Sequence, residues 1–198
     1  VASRIGLTRA AVSTLVDELI RWGLLEELGP ERPGRVGRPG SALAVSGRGP
    51  AGIGAEIGVD HLAVCAVDLR GAVRARAVHR GANRGRAPEP VIAELTTLVG
   101  QVVAEAEREE LWPAGLAVAV PGLVARDSHT VVRAPNLEWR DTDLGALLPG
   151  HWPLTVGNEA TFGALAALWP GAGPPRAFLQ VSAEIGIGAA IVVDGQLL

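Results

Sequence analysis

Hydrophobic and polar positions at the start of the chain follow a helical period. Between Thr8 and Gly23 the apolar residues recur every three or four positions, which predicts one amphipathic helix. Its apolar stripe consists of Ala11, Val12, Leu15, Val16, Leu19 and Ile20. The hydroxyl of Thr8 is positioned to cap this helix, and Gly23 stands where a helix commonly ends. The preceding VASRIGL predicts the end of another helix and a turn through Gly6, and LLEELG predicts a short strand.

The period changes near residue 51, where short apolar runs are separated by Gly-containing turns. These runs predict strands over residues 53–57, 62–68, 73–79, 114–120, 154–156, 178–182 and 188–193. A long amphipathic helix is predicted over residues 90–110, and a second helix follows Asn158. The stretch RAPNLEWRDTDLGALLPGHWP is predicted to be a long loop. An antiparallel meander followed by helix, strand, helix and strand is typical of a mixed α/β sheet domain.

The stretch between these two parts has the composition of a loop. Residues 29–50, GPERPGRVGRPGSALAVSGRGP, are rich in Gly, Pro and Arg, and only residues 42–45 suggest a strand. We therefore predict a first domain over residues 1–46, which includes the wing and most of this stretch, and a second over residues 51–198.

Charge and composition narrow the class of protein. The net charge of −3 divides into +2 for residues 1–50, with seven Arg against five acids, and −5 for the remainder. No apolar run reaches the length of a membrane span, and no signal peptide is recognisable. The single Cys65 forms no internal disulfide, and no Cys/His cluster has metal-site spacing. These features predict a cytoplasmic protein, and the absence of Met predicts either a non-standard start or a fragment.

The N-terminal pattern is typical of a DNA-binding domain. Two helices joined by a short Gly turn describe a helix-turn-helix, in which the second helix enters the major groove. The candidate DNA contacts are Thr8, Arg9, Ala10, Ser13 and Thr14, with Arg35 and Arg38 in a GRVGRPG wing. The alternative is a plain helical hairpin with an Arg-containing linker. GLTRAAVSTLVDELIRWGLLEE followed by GRVGRPG resembles winged helix-turn-helix repressors, whose first helix would precede Val1.

Three further motifs occur together in the second part. They are IGAEIGVDHLAVCAVDLRG, then LAVAVPGLVARDSHTVVRAPNLEWRDTDL, and finally VGNEATFGAL with VSAEIGIGAAIVVDGQLL. In this order they resemble the ROK family of repressors, open reading frames and kinases. The resemblance implies an α/β fold in which a partial winged helix-turn-helix precedes the first lobe of an actin/hexokinase-like (ribonuclease-H-like) domain. It also implies operator DNA, a sugar effector and a homodimer or homotetramer.

The phosphate turns depart from the kinase pattern of this family. The kinases carry Asp-Ile-Gly-Gly-Thr, whereas this chain has Val59 and Asp60 in place of the second Gly and the Thr. Their second turn, Gly-Thr-Gly-Ile-Gly, corresponds here to a stretch that contains Glu184. Glu159 stands where the kinases place an Asp base, and its extra methylene would displace the carboxylate. A site altered in this way is expected to bind ATP poorly.

For the sugar, the resemblance indicates Asn136, Asn158 and Glu159. Each also has a structural explanation: Asn136 as a turn residue, Asn158 as a helix cap and Glu159 as a first-turn acid that complements the helix dipole. We expect Asn158 to cap its helix and also to face the cleft, and Glu159 to anchor the sugar by hydrogen bonds without acting as a base. Trp139 and Trp152 either line the cleft or pack the loop, and packing is favoured.

The family's Glu-x-Gly-His sugar motif and zinc site would follow Leu198, so no cofactor is expected within this chain. The leading hypothesis is a non-catalytic, sugar-responsive transcriptional regulator, a repressor of carbohydrate-utilisation genes. One alternative is a ROK sugar kinase, acting on a hexose or amino sugar, with a DNA-binding head. Another is a degenerate or truncated gene product that retains only weak DNA binding.

Overall fold

The computed structural model describes residues 2–30, 41–126, 128–169, 176–183 and 185–198. Arg35, Arg38 and Glu184 lie outside the described residues. Residues 2–30 and 41–45 form what we call the N-terminal unit. It consists of α1 (Ala2–Ile5), α2 (Arg9–Arg21), β1 (Leu25–Pro30) and β2 (Ser41–Val45), and the two strands pair antiparallel.

Both ends of α2 are closed as its sequence predicts. Thr8 Oγ1 accepts a hydrogen bond from the backbone nitrogen of Ala11 at 3.2 Å. At the other end Gly23 adopts φ +69°, and its nitrogen donates to Ile20 O. Leu24 N reaches back to Leu19 O, which completes a Schellman arrangement. The predicted cap and stop are therefore confirmed.

The apolar stripe of α2 is covered less completely than its pattern predicts. No residue of α2 is fully buried among the described parts of the chain. Val12, Val16, Leu19 and Ile20 are half-buried, whereas Ala11 and Leu15 are exposed. The helix contacts β1 with only part of its apolar face.

A five-stranded mixed sheet forms the centre of the second part. Its strands are β3 (Gly49–Ile57), β4 (His61–Asp68), β5 (Val73–Arg80), β6 (Leu111–Val120) and β10 (Leu154–Asn158), in the order β10-β6-β3-β4-β5. The first three strands pair as an antiparallel meander, as predicted, while β6 lies parallel to both β3 and β10. Strand β3 begins at Gly49, so only residues 46–48 separate it from β2.

Helix α3 (Pro88–Arg108) packs on this sheet. Its inward positions repeat with helical spacing and are occupied by Val91, Ile92, Leu95, Val99, Val102, Val103 and Ala106. The helix ends two residues earlier than predicted. Glu110 adopts φ +62°, which is incompatible with a continuing helix, and β6 begins at the next residue.

The predicted long loop contains regular structure, which corrects the sequence interpretation. It holds β9 (Trp139–Asp143), the short helix α4 (Leu144–Leu147) and the last two residues of β8 (Thr130–Ala134), and β7 (Leu123–Val124) completes a three-stranded sheet. These strands are short and carry Arg133 opposite Arg140, so apolar alternation is weak. They fold because Val131, Ala134 and Trp139 are buried in the main core.

A separate small core begins after β10. Helix α5 (Glu159–Leu168) packs on an antiparallel sheet of β11 (Phe178–Ala183), β12 (Ile187–Val193) and β13 (Gln196–Leu197). Ala160 and Ala164 of the helix meet Ala190 and Val192 of the sheet. Parallel strands β3, β6 and β10 end at one edge of the central sheet, because Glu56 pairs with Ala119 and Val120 with Asn158. A cleft is expected at such an edge.

Candidate ligand-binding cleft

A cavity of about 1000 Å³ lies between this edge and the small second sheet. Its lining includes the first glycine turn, the β8–β9 turn, the β10–α5 junction and the described part of the second glycine turn. The polar or glycine positions among them include Glu56, Gly58, Asn136, Asn158, Glu159 and Gly188. The three sugar candidates from the sequence therefore line one cavity.

Asn158 joins three elements through its side chain. Its Oδ1 accepts from the backbone nitrogen of Ala160 at 2.8 Å and caps α5, which confirms the predicted cap. Its Nδ2 donates to the carbonyl oxygen of Gly122 at 3.1 Å, in the turn after β6. The same nitrogen donates to Glu159 Oε2 at 3.2 Å. Asn158 thus fixes both the start of α5 and the direction of the neighbouring carboxylate.

Glu159 is the first residue of α5 and is half-buried. Its carboxylate faces the second glycine turn, because a Cβ atom on Gly188 would lie 3.2 Å from Glu159 Oε1. A negative charge at a helix N-terminus also complements the helix dipole. The first-turn role and the cleft-facing role predicted for Glu159 therefore occur together.

Asn136 occupies the turn between β8 and β9, as its structural alternative predicted, and also lines the cavity. A Cβ atom on Gly186 would lie 2.6 Å from Asn136 Nδ2. A larger residue at position 186 would therefore force the amide of Asn136 or the turn to shift. The contact brings the two sides of the cleft together at one point.

The first glycine turn is filled by a side chain of the protein itself. The ring of His61 covers Gly58, and the backbone nitrogen of Gly58 donates to His61 O at 2.9 Å. His61 Nδ1 lies 2.9 Å from Asp60 Oδ1, and His61 Nε2 lies 3.7 Å from Glu56 Oε1. The hydrogen bond with His61 lowers the pKa of the Asp60 carboxyl. The surface that would have to approach a phosphate is therefore occupied by an imidazole between two carboxylates.

Asn83 is a buried residue that holds this turn by hydrogen bonds. The sequence did not identify it. It is 1% exposed, and its Nδ2 donates to Gly58 O at 2.8 Å and to His61 O at 3.0 Å. Its backbone nitrogen donates to Val59 O at 2.8 Å. Its sequence signal is a lone amide beside Arg84 in a Gly- and Arg-containing stretch, a pattern that is also common in exposed loops. His61 was missed as well, although it directly follows the quoted turn.

The candidate DNA contacts form an exposed polar surface at the start of α2. Thr8, Arg9, Ala10, Ser13 and Thr14 are all exposed. Thr8 is engaged as the cap, and Thr14 Oγ1 donates to Ala10 O at 3.3 Å. Arg9 is the first residue of α2.

The two tryptophans of the predicted loop are packed, as favoured from the sequence. Trp139 is 3% exposed, belongs to the main core, and its Nε1 donates to Arg86 O at 2.8 Å. Trp152 packs partly buried against the same core. Neither lines the cavity described above.

Within the described residues, no helix is long and apolar enough to cross a membrane. The same part of the chain contains no group of three or more His, Cys, Asp or Glu side chains arranged to hold a metal ion.

Similar solved structures include both regulators and kinases. A ROK family transcriptional regulator, a homolog of the E. coli MLC protein, matches with a TM-score of 0.73 and 21% identity, over 100% of this chain and 50% of that one. An inorganic polyphosphate/ATP-glucomannokinase from Arthrobacter sp. strain KM matches with a TM-score of 0.59 and 30% identity, over 75% and 60%. The fold is therefore that of ROK proteins.

Sequence comparison points the same way. A xylose repressor from Caldicellulosiruptor bescii is 30% identical over 200 residues, which cover 100% of this chain and 50% of the repressor. The chain thus spans about half the length of that curated relative. A profile of the ROK family matches residues 52–198, from the middle of β3 to the last residue. The chain belongs to the ROK family.

Proposed function

We propose that this chain is part of a sugar-responsive DNA-binding regulator, a repressor of carbohydrate-utilisation genes, whose cleft senses sugar without phosphorylating it. The observation that carries the proposal is the filled first glycine turn. His61 covers Gly58 between two carboxylates, so the cleft retains a polar sugar side while its phosphate side repels anions. Such a cleft can report the presence of a sugar but is poorly suited to transfer phosphate.

In this proposal Asn136, Asn158 and Glu159 bind sugar hydroxyls. Carboxylate and amide groups provide directional acceptors and donors, and those of Asn158 and Glu159 are already oriented by their mutual hydrogen bond. The relatives named xylose repressors make D-xylose the first sugar to test.

The N-terminal unit acts as a winged helix-turn-helix head. Thr8, Arg9, Ala10, Ser13 and Thr14 face the major groove of an operator, and Arg35 and Arg38 belong to the wing. Arginine donors suit guanine edges and phosphates. Two heads of a homodimer, or of a homotetramer, would read two half-sites in the cytoplasm, and sugar binding would alter their relative placement.

Fluorescence anisotropy with duplex DNA from upstream of its own operon tests the proposal. We expect affinity to fall steeply with salt, because phosphate contacts release counterions, and to change at least about fivefold when the matching sugar is added. Binding insensitive to salt and to every sugar tried would contradict a regulator.

Glu159→Gln separates sensing from catalysis. An amide can still bond a hydroxyl but cannot accept its proton, so a sensor should lose sugar affinity by about tenfold or less, as expected for one weakened charge-assisted bond. Glu159→Ala should lose about 10–100-fold. Glu138→Gln is the matched control, since Glu138 is exposed and outside the cavity. Calorimetric titration with sugar measures all three variants.

The second candidate is a sugar kinase, favoured by the likeness to the glucomannokinase. It requires sugar-dependent ADP release that Glu159→Gln abolishes. A sugar panel with ATP and with polyphosphate, followed by a coupled ADP assay and phosphate analysis, distinguishes it. Turnover that depends on Glu159 would replace the sensor proposal.

A further inference from the structure

The junction between the N-terminal unit and the central sheet is buried and fixed. Ser46, Gly47 and Gly49 are buried although their sequence suggested a loose linker. Ser46 N donates to Leu24 O at 2.9 Å, and Gly49 N donates to Glu110 O at 2.9 Å. The junction is therefore bonded on one side to the N-terminal unit and on the other to the end of α3.

Arg70, in the turn between β4 and β5, reaches across to the N-terminal unit. Its Nε donates to Val45 O at 2.7 Å, and its guanidinium also pairs with Glu26. A Cβ atom on Gly47 would stand 3.3 Å from Arg70 Cζ, so the guanidinium lies directly on the junction. One side chain thus contacts β1, β2 and the junction at once.

Arg74, at the start of β5, holds the same junction from the sheet side. It donates to Gly47 O at 2.6 Å and to Asp68 Oδ2 at 3.2 Å, and it also pairs with Glu109. Asp68 is buried and accepts from the backbone nitrogens of Arg70 and Ala72, both at 2.9 Å. Both arginines are consequently set by the conformation of a single turn.

Close packing at the junction leaves little freedom for a hinge. A Cβ atom on Gly49 would lie 2.6 Å from Gly23 O, and one on Gly23 would lie 2.9 Å from the ring of Trp112. The end of α2 therefore sits directly against the beginning of β3 and β6.

The junction is connected to the cleft by continuous strands. Strand β3 runs from Gly49 at the junction to Ile57 beside the first glycine turn, and β4 returns from His61 to Asp68. At ~3.3 Å per residue these ends are about 26 Å apart. Because hydrogen-bonded strands span the two sites, a displacement of the strands beside the cleft also displaces their ends at the junction.

We propose that Arg70 and Arg74 are positioning residues that transmit the state of the cleft to the N-terminal unit through the β4–β5 turn. This inference rests on the proposed function, because it specifies how sugar binding alters DNA binding. Without the two arginines the N-terminal unit keeps the backbone bonds and packing of the junction but loses its side-chain contacts with the β4–β5 turn and the start of β5, so its orientation follows the sheet less closely.

The test compares Arg70→Ala and Arg108→Ala in the full chain. Arg108 is the matched control, because it is an exposed arginine near the same end of α3 whose Nε bonds only Ala104 O of its own helix. Affinity for upstream duplex DNA is measured with and without D-xylose, and sugar affinity by calorimetry. Arg70→Ala should keep sugar affinity within about twofold and lose the sugar response, its ratio of DNA affinities falling from at least about fivefold towards one. Arg108→Ala should respond like the wild type.

An unchanged sugar response in Arg70→Ala would overturn the inference while leaving the proposed function intact. A wild type that binds no DNA, or responds to no sugar, would instead remove the proposed function. Hydrogen exchange tests independently whether Arg70 stabilises the junction. The amides of Ser46 and Gly49 should exchange at least about tenfold faster in Arg70→Ala than in Arg108→Ala, because losing the contacts of Arg70 lowers the free energy of local opening. Equal exchange rates in the two variants would contradict a stabilising role of Arg70 at the junction. Arg70→Lys should restore part of the protection, because an ammonium can still bond Val45 O or Glu26.

Discussion

The imidazole ring of His61 lies directly against the backbone of Gly58, where an added Cβ atom would stand 2.4 Å from Cε1 of the ring. The ring is held in that position by Asp60 on one nitrogen and approached by Glu56 on the other. A turn that resembles a kinase phosphate turn is thus closed by an imidazole that lies between two carboxylates.

Gly58→Ala is expected to destabilise the protein by about 1–2 kcal/mol, because the ring must leave its place and weaken its bond to Asp60. Urea unfolding measures the change. Gly52→Ala, in the preceding strand β3 with nothing within 4 Å of its Cβ position, should be neutral or slightly stabilising. The double variant Gly58→Ala with His61→Ala should recover part of the loss; no recovery would argue against the ring as the source of the clash.

Asn83→Ala removes the donor that serves two carbonyl oxygens of the turn. Since Asn83 is buried, Gly58 O and His61 O would lose a partner without gaining water, at a cost of about 2–3 kcal/mol. Arg84→Ala, at the exposed neighbouring position, should change the free energy of unfolding by less than about 1 kcal/mol. An equal loss of unfolding free energy in both variants would contradict the role of Asn83 in holding the turn.

Asn158→Ala removes a helix cap and the bond to Gly122 O, and should lower the free energy of unfolding by about 1–3 kcal/mol. Asn158→Ser retains an oxygen for the cap but not the donor, so an intermediate loss is expected. Thermal unfolding followed by circular dichroism ranks the two variants. If serine restored full stability, the link to Gly122 would contribute nothing.

The titration of Asp68 determines one part of how the free energy of unfolding depends on pH. Burial raises its pKa, but hydrogen bonds from the nitrogen of Ala72, from Arg74 and from the nitrogen of Arg70 outweigh burial and hold the pKa below its ordinary value. The folded-state pKa therefore lies below the unfolded value of about 3.9. The contribution of Asp68 is complete above that pH and is lost as pH falls through the folded-state pKa.

Asp68→Asn should accordingly destabilise the protein at pH 7 and make its stability less dependent on pH below about 4. Urea midpoints between pH 7 and the acid limit measure this. Asp17→Asn, on the exposed face of α2, provides the control. A parallel acid dependence for wild type and Asp68→Asn would show that another group carries the effect.

Local features of this fold are readable from the sequence because their causes are local. Thr8, Gly23 and Asn158 act within one helical turn, so their residue types suffice to predict them. Apolar alternation likewise predicts the meander of β3, β4 and β5. Strands β8 and β9 escape the same reasoning because their stability comes from burial of Val131 and Trp139 against a distant core.

The same distinction between local and long-range causes applies to the candidate cleft. The motifs by themselves identify Asn136, Asn158 and Glu159, whose residue types carry the chemistry of hydroxyl binding. Only the tertiary structure decides that they line one cavity, because the folding of the chain brings the β8–β9 turn and the β10–α5 junction together. The same holds for His61 over Gly58, for Asn83 behind them and for Arg70 against Val45, 25 residues away. Caps and periodicity depend on near neighbours in the chain, whereas each of these contacts depends on how the strands are assembled.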